Sequence, residues 1–195
     1  MNKPVINIKN LNVDYITDKN PINAVRDVTF EIFSGEIFGL VGESGSGKST
    51  VVQAMMRILP PPAIISKGEV IINNEDILAS SSLDVVGMRW KKISIVMQSA
   101  LNALNPVLSI REQIHDVLKT HKNLIGLDAD ERAKELLSLV EIDHDRLDSF
   151  PHQLSGGMKQ RIVIAIALAI MPPIIIMDEP TTALDVIVER EIIAK

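Results

Sequence analysis

Cysteine is absent from the 195 residues, which excludes a disulfide framework and thiolate metal sites and only weakly favours a reducing compartment. Long apolar runs are absent too. The longest, Ile162 to Met171, has ten residues before Pro172 and Pro173 stop it, and a membrane-spanning helix needs about 20. The N-terminal stretch Met1 to Lys9 places Asn2, Lys3, Asn7 and Lys9 where a signal peptide needs continuous apolar character, so export is not expected. Nor is there an excess of positive charge. With 20 Lys and Arg against 25 Asp and Glu the net charge is −5, which leaves no basic footprint for nucleic acid or an anionic lipid surface. Any membrane association is then expected through a protein partner. Internal repeats and low-complexity segments are missing as well. What is present is 46% apolar and 23% charged residues, the composition of a globular protein with an aliphatic core. A chain of this length can bury roughly 70% of its unfolded surface.

The punctuation marks are Pro60-Pro61-Pro62 and Ser80-Ser81-Ser82, both read as loops. Val28, Phe30 and Ile32 alternate with Thr29 and Glu31, the period of a half-buried strand, and Ser34-Gly35-Glu36 supplies a turn. Ile37 to Val41 then reads as a short buried strand, Ser49 to Leu59 as a helix, and Glu69–Ile72 and Ile93–Met97 as further strands. Beyond Gln98 the pattern turns helical. Ser109 to Glu112 has the form of a capping box followed by Ile110, Ile114, Val117 and Leu118 on one face, and Asp128 to Glu131 repeats the capping signal. A helix over about 157–170 and a strand over Ile174–Met177 return the chain to the sheet. The expected organisation is one α/β domain over 1–195, with a β-rich part at 1–98, an inserted helical lobe at 99–153 and a last part at 154–195.

Three elements carry chemistry. Gly42-Glu43-Ser44-Gly45-Ser46-Gly47-Lys48-Ser49 fits G-x-x-x-x-G-K-[ST] between an expected strand and an expected helix. Glycines let successive N–H groups and the helix N-terminus face phosphate oxygens, Lys48 neutralises their charge, and the Ser49 hydroxyl can ligate Mg²⁺. The plain alternative is a Gly/Ser-rich turn. Second, Ile174 to Met177 delivers Asp178 and Glu179 at a strand's carboxyl end, the rim where α/β sheets bind ligands. Asp178 would hold a metal through its water shell and Glu179 would polarise water; the alternative is a strand-to-helix cap. Third, Leu154-Ser155-Gly156-Gly157-Met158-Lys159-Gln160-Arg161 opens a helix with a hydroxyl and two glycines, a second anion-binding N-terminus or simply a glycine-rich helix start.

In this order and spacing the sequence resembles the ATP-binding subunits of ABC transporters along essentially its whole length. Gly42 to Thr50 looks like the Walker A loop, Gln98 like the Q-loop glutamine and Leu154 to Gln160 like the signature motif. Ile174 to Glu179 looks like Walker B with the catalytic glutamate, and Ala183-Leu184-Asp185 like the D-loop. Ala103-Leu104-Asn105-Pro106 and Phe150-Pro151-His152-Gln153 are similar to the dipeptide, oligopeptide and nickel importer branch. The resemblance implies a P-loop NTPase fold, a RecA-like core sheet with N-terminal antiparallel strands and an inserted helical lobe. It implies ATP and Mg²⁺ as ligands, with phosphates held by Gly42, Glu43, Ser44, Gly45, Ser46, Gly47, Lys48, Ser49 and Thr50. Magnesium would fall to Ser49, Gln98 and Asp178, catalysis to Glu179 and Gln98, and adenine stacking to Tyr15, whose alternative is packing at a sheet edge.

Partners follow from the same resemblance. A second ATP-binding subunit would sit head to tail, so that Ser155, Gly156 and Gly157 close over its nucleotide. Membrane permease subunits would receive the helical lobe, a solute-binding protein would act indirectly, and nucleic acid is not a partner. The expected location is peripheral, on the cytoplasmic face of the cell membrane. In the family the chain continues past the D-loop into a strand ending in a switch histidine. Here the sequence ends at Lys195, and His115, His121, His144 and His152 all precede Walker B. A C-terminally truncated fragment is therefore expected, inactive and molten or aggregation-prone, with Ile37–Val41 and Ile174–Met177 left without the strand that would separate them. Two further readings are a nucleotide-binding module without turnover and a soluble ABC-type ATPase of DNA repair or chromosome maintenance. The stretch between Gln98 and the signature is short, without heptads and not basic, which disfavours the latter.

Overall fold

A computed structural model describes residues 3–97 and 103–178, apart from the side chains of Ser82 and Leu83. The chain divides into two compact units after Gly87.

The first unit is built on β1 (Ile6–Tyr15), which lies between β2 (Ile22–Ile32) and β3 (Ala63–Ile72) in an antiparallel sheet closed at one edge by β4 (Glu75–Asp76). Alternation in β1 slips once. Ile6 and Ile8 are buried, then Leu11 and Val13, and a three-residue step can face the same side only across a bulge. The register shifts there, and Asn10 takes a left-handed φ of 48° that a short polar side chain tolerates. Its amide Nδ2 donates to Asp27 Oδ1 at 2.7 Å and its backbone N–H to Thr29 Oγ1 at 2.9 Å, so the bulge is tied to β2. Gly68 of β3 crosses the same point with φ +113°, and a Cβ there would lie 2.6 Å from Leu11 Cα and 2.7 Å from Asn10 O. The β3 strand is longer than the expected Glu69–Ile72 because β1 offers it partners as far as Tyr15, paired with Ala63.

Helix α1 (Lys48–Met55) packs on β1 and β2. It ends four residues before the expected Leu59 because Arg57 turns left-handed at φ 48°, and its Nη1 is occupied by Ile77 O and Ser80 O at 3.1 and 2.7 Å. The expected buried strand Ile37–Val41 is not formed. Ile37 is 90% and Val41 93% exposed, and no described strand pairs with the segment. Apolar sequence favours a strand only where a neighbour accepts its backbone hydrogen bonds. Phe38 stacks on Phe30 of β2, centroids 4.9 Å apart, and this contact holds the segment to the sheet.

The chain passes through α2 (Ser82–Met88) into the second unit, where β5 (Ile93–Val96) pairs in parallel with β6 (Ile174–Met177). Between them come α3 (Ile110–Lys122), α4 (Gly126–Leu139), 3-10 turns at His144–Asp148 and Pro151–Gln153, and α5 (Gly156–Ala167). Ser109 and Glu112 form the expected capping box on α3. Helix α4 starts earlier than Asp128 because Asn123 closes α3 in a left-handed conformation and Gly126, φ +60°, turns the chain at once into the next helix. Asp128 then lies in the first turn, beside the positive end of the helix dipole. Ile110, Ile114, Leu118, Ala133, Leu136 and Ile162 meet in the core, and Trp90 stacks on His121 with centroids 5.7 Å apart.

Arg111 fastens this unit. Its Nε and Nη2 donate to the two carboxylate oxygens of Asp148 at 2.8 and 3.2 Å, and its Nη1 pairs with Asp130, which also has His115 Nε2 at 3.1 Å. The Arg111 guanidinium holds the Asp148 carboxyl below the usual carboxylate range, as the Ser109 backbone and hydroxyl do for Glu112 and Ser66 and Asn23 for Asp14.

Two predictions follow from this packing. Gly68→Ala should destabilise the protein by about 3 kcal/mol, since the added methyl meets backbone rather than a movable side chain at a left-handed position; chemical denaturation checks it. The depressed carboxylates stabilise the fold above the ordinary carboxylate value near pH 4, and that contribution is lost as pH falls through their lower folded values. Asp148→Asn should therefore lower the urea midpoint at neutral pH, and the difference from the parent should shrink at more acid pH.

Candidate functional site

In the first unit the segment Gly42–Thr50 folds as a loop running into α1. Gly45 and Gly47 carry φ of +79° and +93°, conformations that side chains disfavour. Gly47 is also spatially obligate, since a Cβ would lie 2.6 Å from Ala24 O of β2. No side chain caps the N-terminus of α1, and its first turn holds no acidic residue, so the amides of that turn and the dipole present a positive end. Lys48 Nζ donates to Gly42 O and Glu43 O, both at 2.9 Å, and Ser46 N donates to Glu43 O at 3.2 Å. An ammonium has three donors. The two carbonyl bonds therefore fix the charge across the start of the loop without exhausting it. Ser49 and Thr50 lie in the first turn of α1, and Glu43, Ser44 and Gly45 in the exposed bend before it. Tyr15 ends β1, half-buried, opposite Ile22 and Ala63.

In the second unit Asp178 follows β6 directly, and its backbone N–H donates to Val96 O at 2.9 Å, extending the parallel ladder. Its residue is only 9% exposed, and among the described residues no lysine or arginine pairs with it. A carboxylate so enclosed favours a cation partner, and its oxygens are of the kind that suit Mg²⁺. Because β5 and β6 are parallel, Asp178 leaves the sheet at the same carboxyl edge as Val96, two residues before Gln98. Gln98, Glu179 and Ala183-Leu184-Asp185 lie outside the described residues.

The signature segment opens α5. Ser155 is the N-cap, its hydroxyl accepting from Met158 N at 3.3 Å and its carbonyl from Lys159 N at 3.0 Å. Ser155 and Gly156 are exposed, whereas Leu154 before them and Gln160 after them are buried. A Cβ at Gly156 would meet nothing within 4 Å, so packing in this chain does not demand glycine there. Ala24, whose carbonyl lies under Gly47 from outside the motif, carried no sequence signal, because it acts through main-chain oxygen.

The structure thus gathers Gly42 to Thr50 in one loop and helix turn, and sets Asp178 and Ser155 to Gly157 on separate elements of the second unit.

Residues 25–182 match the ABC transporter family. The chain is 42% identical to the dipeptide transport ATP-binding protein DppD of Bacillus subtilis over 97% of its own length and 57% of the relative's. It is 40% identical to the oligopeptide transport ATP-binding protein OppD of the same organism, covering 97% and 54%, and 44% identical to a putative peptide import ATP-binding protein of Brucella melitensis, covering 97% and 58%. The chain thus spans little more than half the length of these curated relatives. Among solved structures, the dimeric ATP-binding cassette MJ0796, in a post-hydrolysis state bound to ADP and Pi, superposes with a TM-score of 0.86 at 32% identity, over 97% of this chain and 80% of that one. With a family model matching most of its length and relatives above 40% identity, the chain belongs to the ABC transporter family.

Proposed function

We propose that this chain is the ATP-binding part of an energising subunit of a peptide importer, a subunit that binds MgATP and hydrolyses it. The observation that carries the reading is the uncapped N-terminus of α1 with Lys48 tethered across the loop by Gly42 O and Glu43 O. Fixed dipoles and one tethered cation are already arranged for a polyphosphate, and catalysis of phosphoryl transfer rests on such positioning and charge stabilisation. The loop amides from Gly42 to Gly47, with Ser49 and Thr50, hold the phosphates, and Tyr15 stacks on adenine. Ser49, Gln98 and Asp178 hold magnesium, which supplies charge neutralisation at the β- and γ-phosphates. Glu179 orients the water that attacks the γ-phosphate in line. The names of the relatives support a peptide as the cargo, and the dimeric ATP-binding cassette supports a second subunit, over whose nucleotide Ser155, Gly156 and Gly157 close.

In this reading the chain is a peripheral subunit at the cytoplasmic membrane face. Its helices between β5 and α5 meet permease subunits, and a solute-binding protein acts indirectly. Among the described residues no helix is long and apolar enough to cross a membrane. A second reading is nucleotide binding without turnover. Phosphate release measured beside equilibrium ATP binding separates the two.

Two variants test the roles. Lys48→Ala should raise the dissociation constant for a fluorescent ATP analogue by about tenfold or more, the worth of a charge-assisted hydrogen bond; an unchanged constant would remove Lys48 from phosphate binding. Glu179→Gln should bind ATP like the parent, release no phosphate and accumulate an ATP-bound dimer. Parental turnover in that variant would take Glu179 out of the mechanism.

A further inference from the structure

Helices α4 and α5 run antiparallel, and each lends an arginine to the other's C-terminal end. Arg132 of α4 donates its Nε to Ala169 O, beyond the end of α5, at 3.4 Å. Arg161 of α5 donates its Nη1 to Val140 O at 3.2 Å and Glu141 O at 3.0 Å, at the end of α4. The two clasps differ in strength and in place. Arg132 makes one long bond past the end of α5, far from Ser155, while its Nη1 is held within α4 by Glu135 Oε2 at 2.8 Å. Arg161 makes two shorter ones, six residues and about 9 Å along the axis from Ser155.

The chain between the receiving carbonyls and Ser155 is anchored at several points. Ile142, Leu147, Pro151 and Leu154 are buried, Ile142 N donates to Leu137 O, and Gln153 Oε1 accepts from Phe150 N at 2.7 Å. The Arg161 bonds close residues 140–161 into a ring whose last turn is the exposed, capped start of α5. Helix α5 does not need Arg161 in order to fold, because Ile162, Ile164, Ala165 and Ala167 carry it into the core. What the guanidinium adds is the placement of the first turn against the end of α4.

We propose that Arg161 is a positioning residue for the nucleotide-facing N-terminus of α5, holding the Ser155–Gly157 turn where a phosphate bound by a second subunit meets it. The inference rests on the reading that this turn closes over the other subunit's ATP. A lysine could reach one of the two carbonyls; a methionine reaches neither and keeps the apolar stem.

The test is MgATP-dependent dimerisation of the full chain carrying Glu179→Gln, read by light scattering as a dimer dissociation constant. It is measured beside ATP binding at protein concentrations where the chain is monomeric. Arg161→Met should weaken the dimer by about tenfold, and Arg161→Lys should fall between it and the parent. Monomeric ATP affinity and the far-UV circular dichroism should stay within about twofold and unchanged respectively. Arg132→Met, which cuts the opposite clasp, should dimerise within about twofold of the parent. Equal weakening by Arg132→Met and Arg161→Met would mean that Arg161 serves stability alone, and an unaltered dimer in Arg161→Met would also overturn the proposal. Ser155→Arg, measured alongside, separates the levels. If it dimerises normally, the turn does not meet the second nucleotide and the underlying reading fails with the inference. If it abolishes the dimer while Arg161→Met does not, only the role of Arg161 fails.

Discussion

Main-chain carbonyls left over at the ends of helices and in loops must find donors, and in this chain long cationic side chains supply them. Lys48 serves Gly42 O and Glu43 O, Arg57 serves Ile77 O and Ser80 O, Arg132 serves Ala169 O and Arg161 serves Val140 O and Glu141 O. An oxygen withdrawn from water without a partner costs on the order of 1–3 kcal/mol, and a cation is the stronger donor. The same bonds fix the cation. A charge tied to backbone on one side has little freedom on the other, which is the condition for meeting a phosphate without reorganisation.

The opposite case shows what happens when no donor or acceptor is at hand. Ile37 to Val41 has the composition of a buried strand, yet it stays out of the sheet, whereas Ile174 to Met177, of similar composition, is a strand because Ile93 to Val96 lies beside it. The apolar side chains are equally suited to burial in both. Ladder partners decide between them.

Much of the architecture was legible because it is written in local rules. The alternation of Val28, Phe30 and Ile32, the Ser109–Glu112 capping box, the Ser155 cap and the strand ending at Asp178 all stand where side-chain pattern places them. The turn from Gly42 into α1 was legible for a stronger reason: its glycines stand at fixed spacing before Lys48, and two of them take the positive φ that the spacing suggests. What escaped was set by the main chain of distant segments. The length of β3 is decided by β1, the early stop of α1 by a left-handed Arg57, and the requirement for glycine at position 47 by the carbonyl of Ala24. A carbonyl is the same in every residue, so sequence does not record where it points.

The place of Trp90, stacked on His121, has a practical consequence. The chain holds one tryptophan and one tyrosine, and they fall in different units, Tyr15 in the first and Trp90 in the second. Light absorbed by indole alone reports the surroundings of one unit, and phenol emission reports the other. The protein thus carries two intrinsic optical labels, one in each half, and whether the halves melt together or in sequence can be followed without attaching a dye.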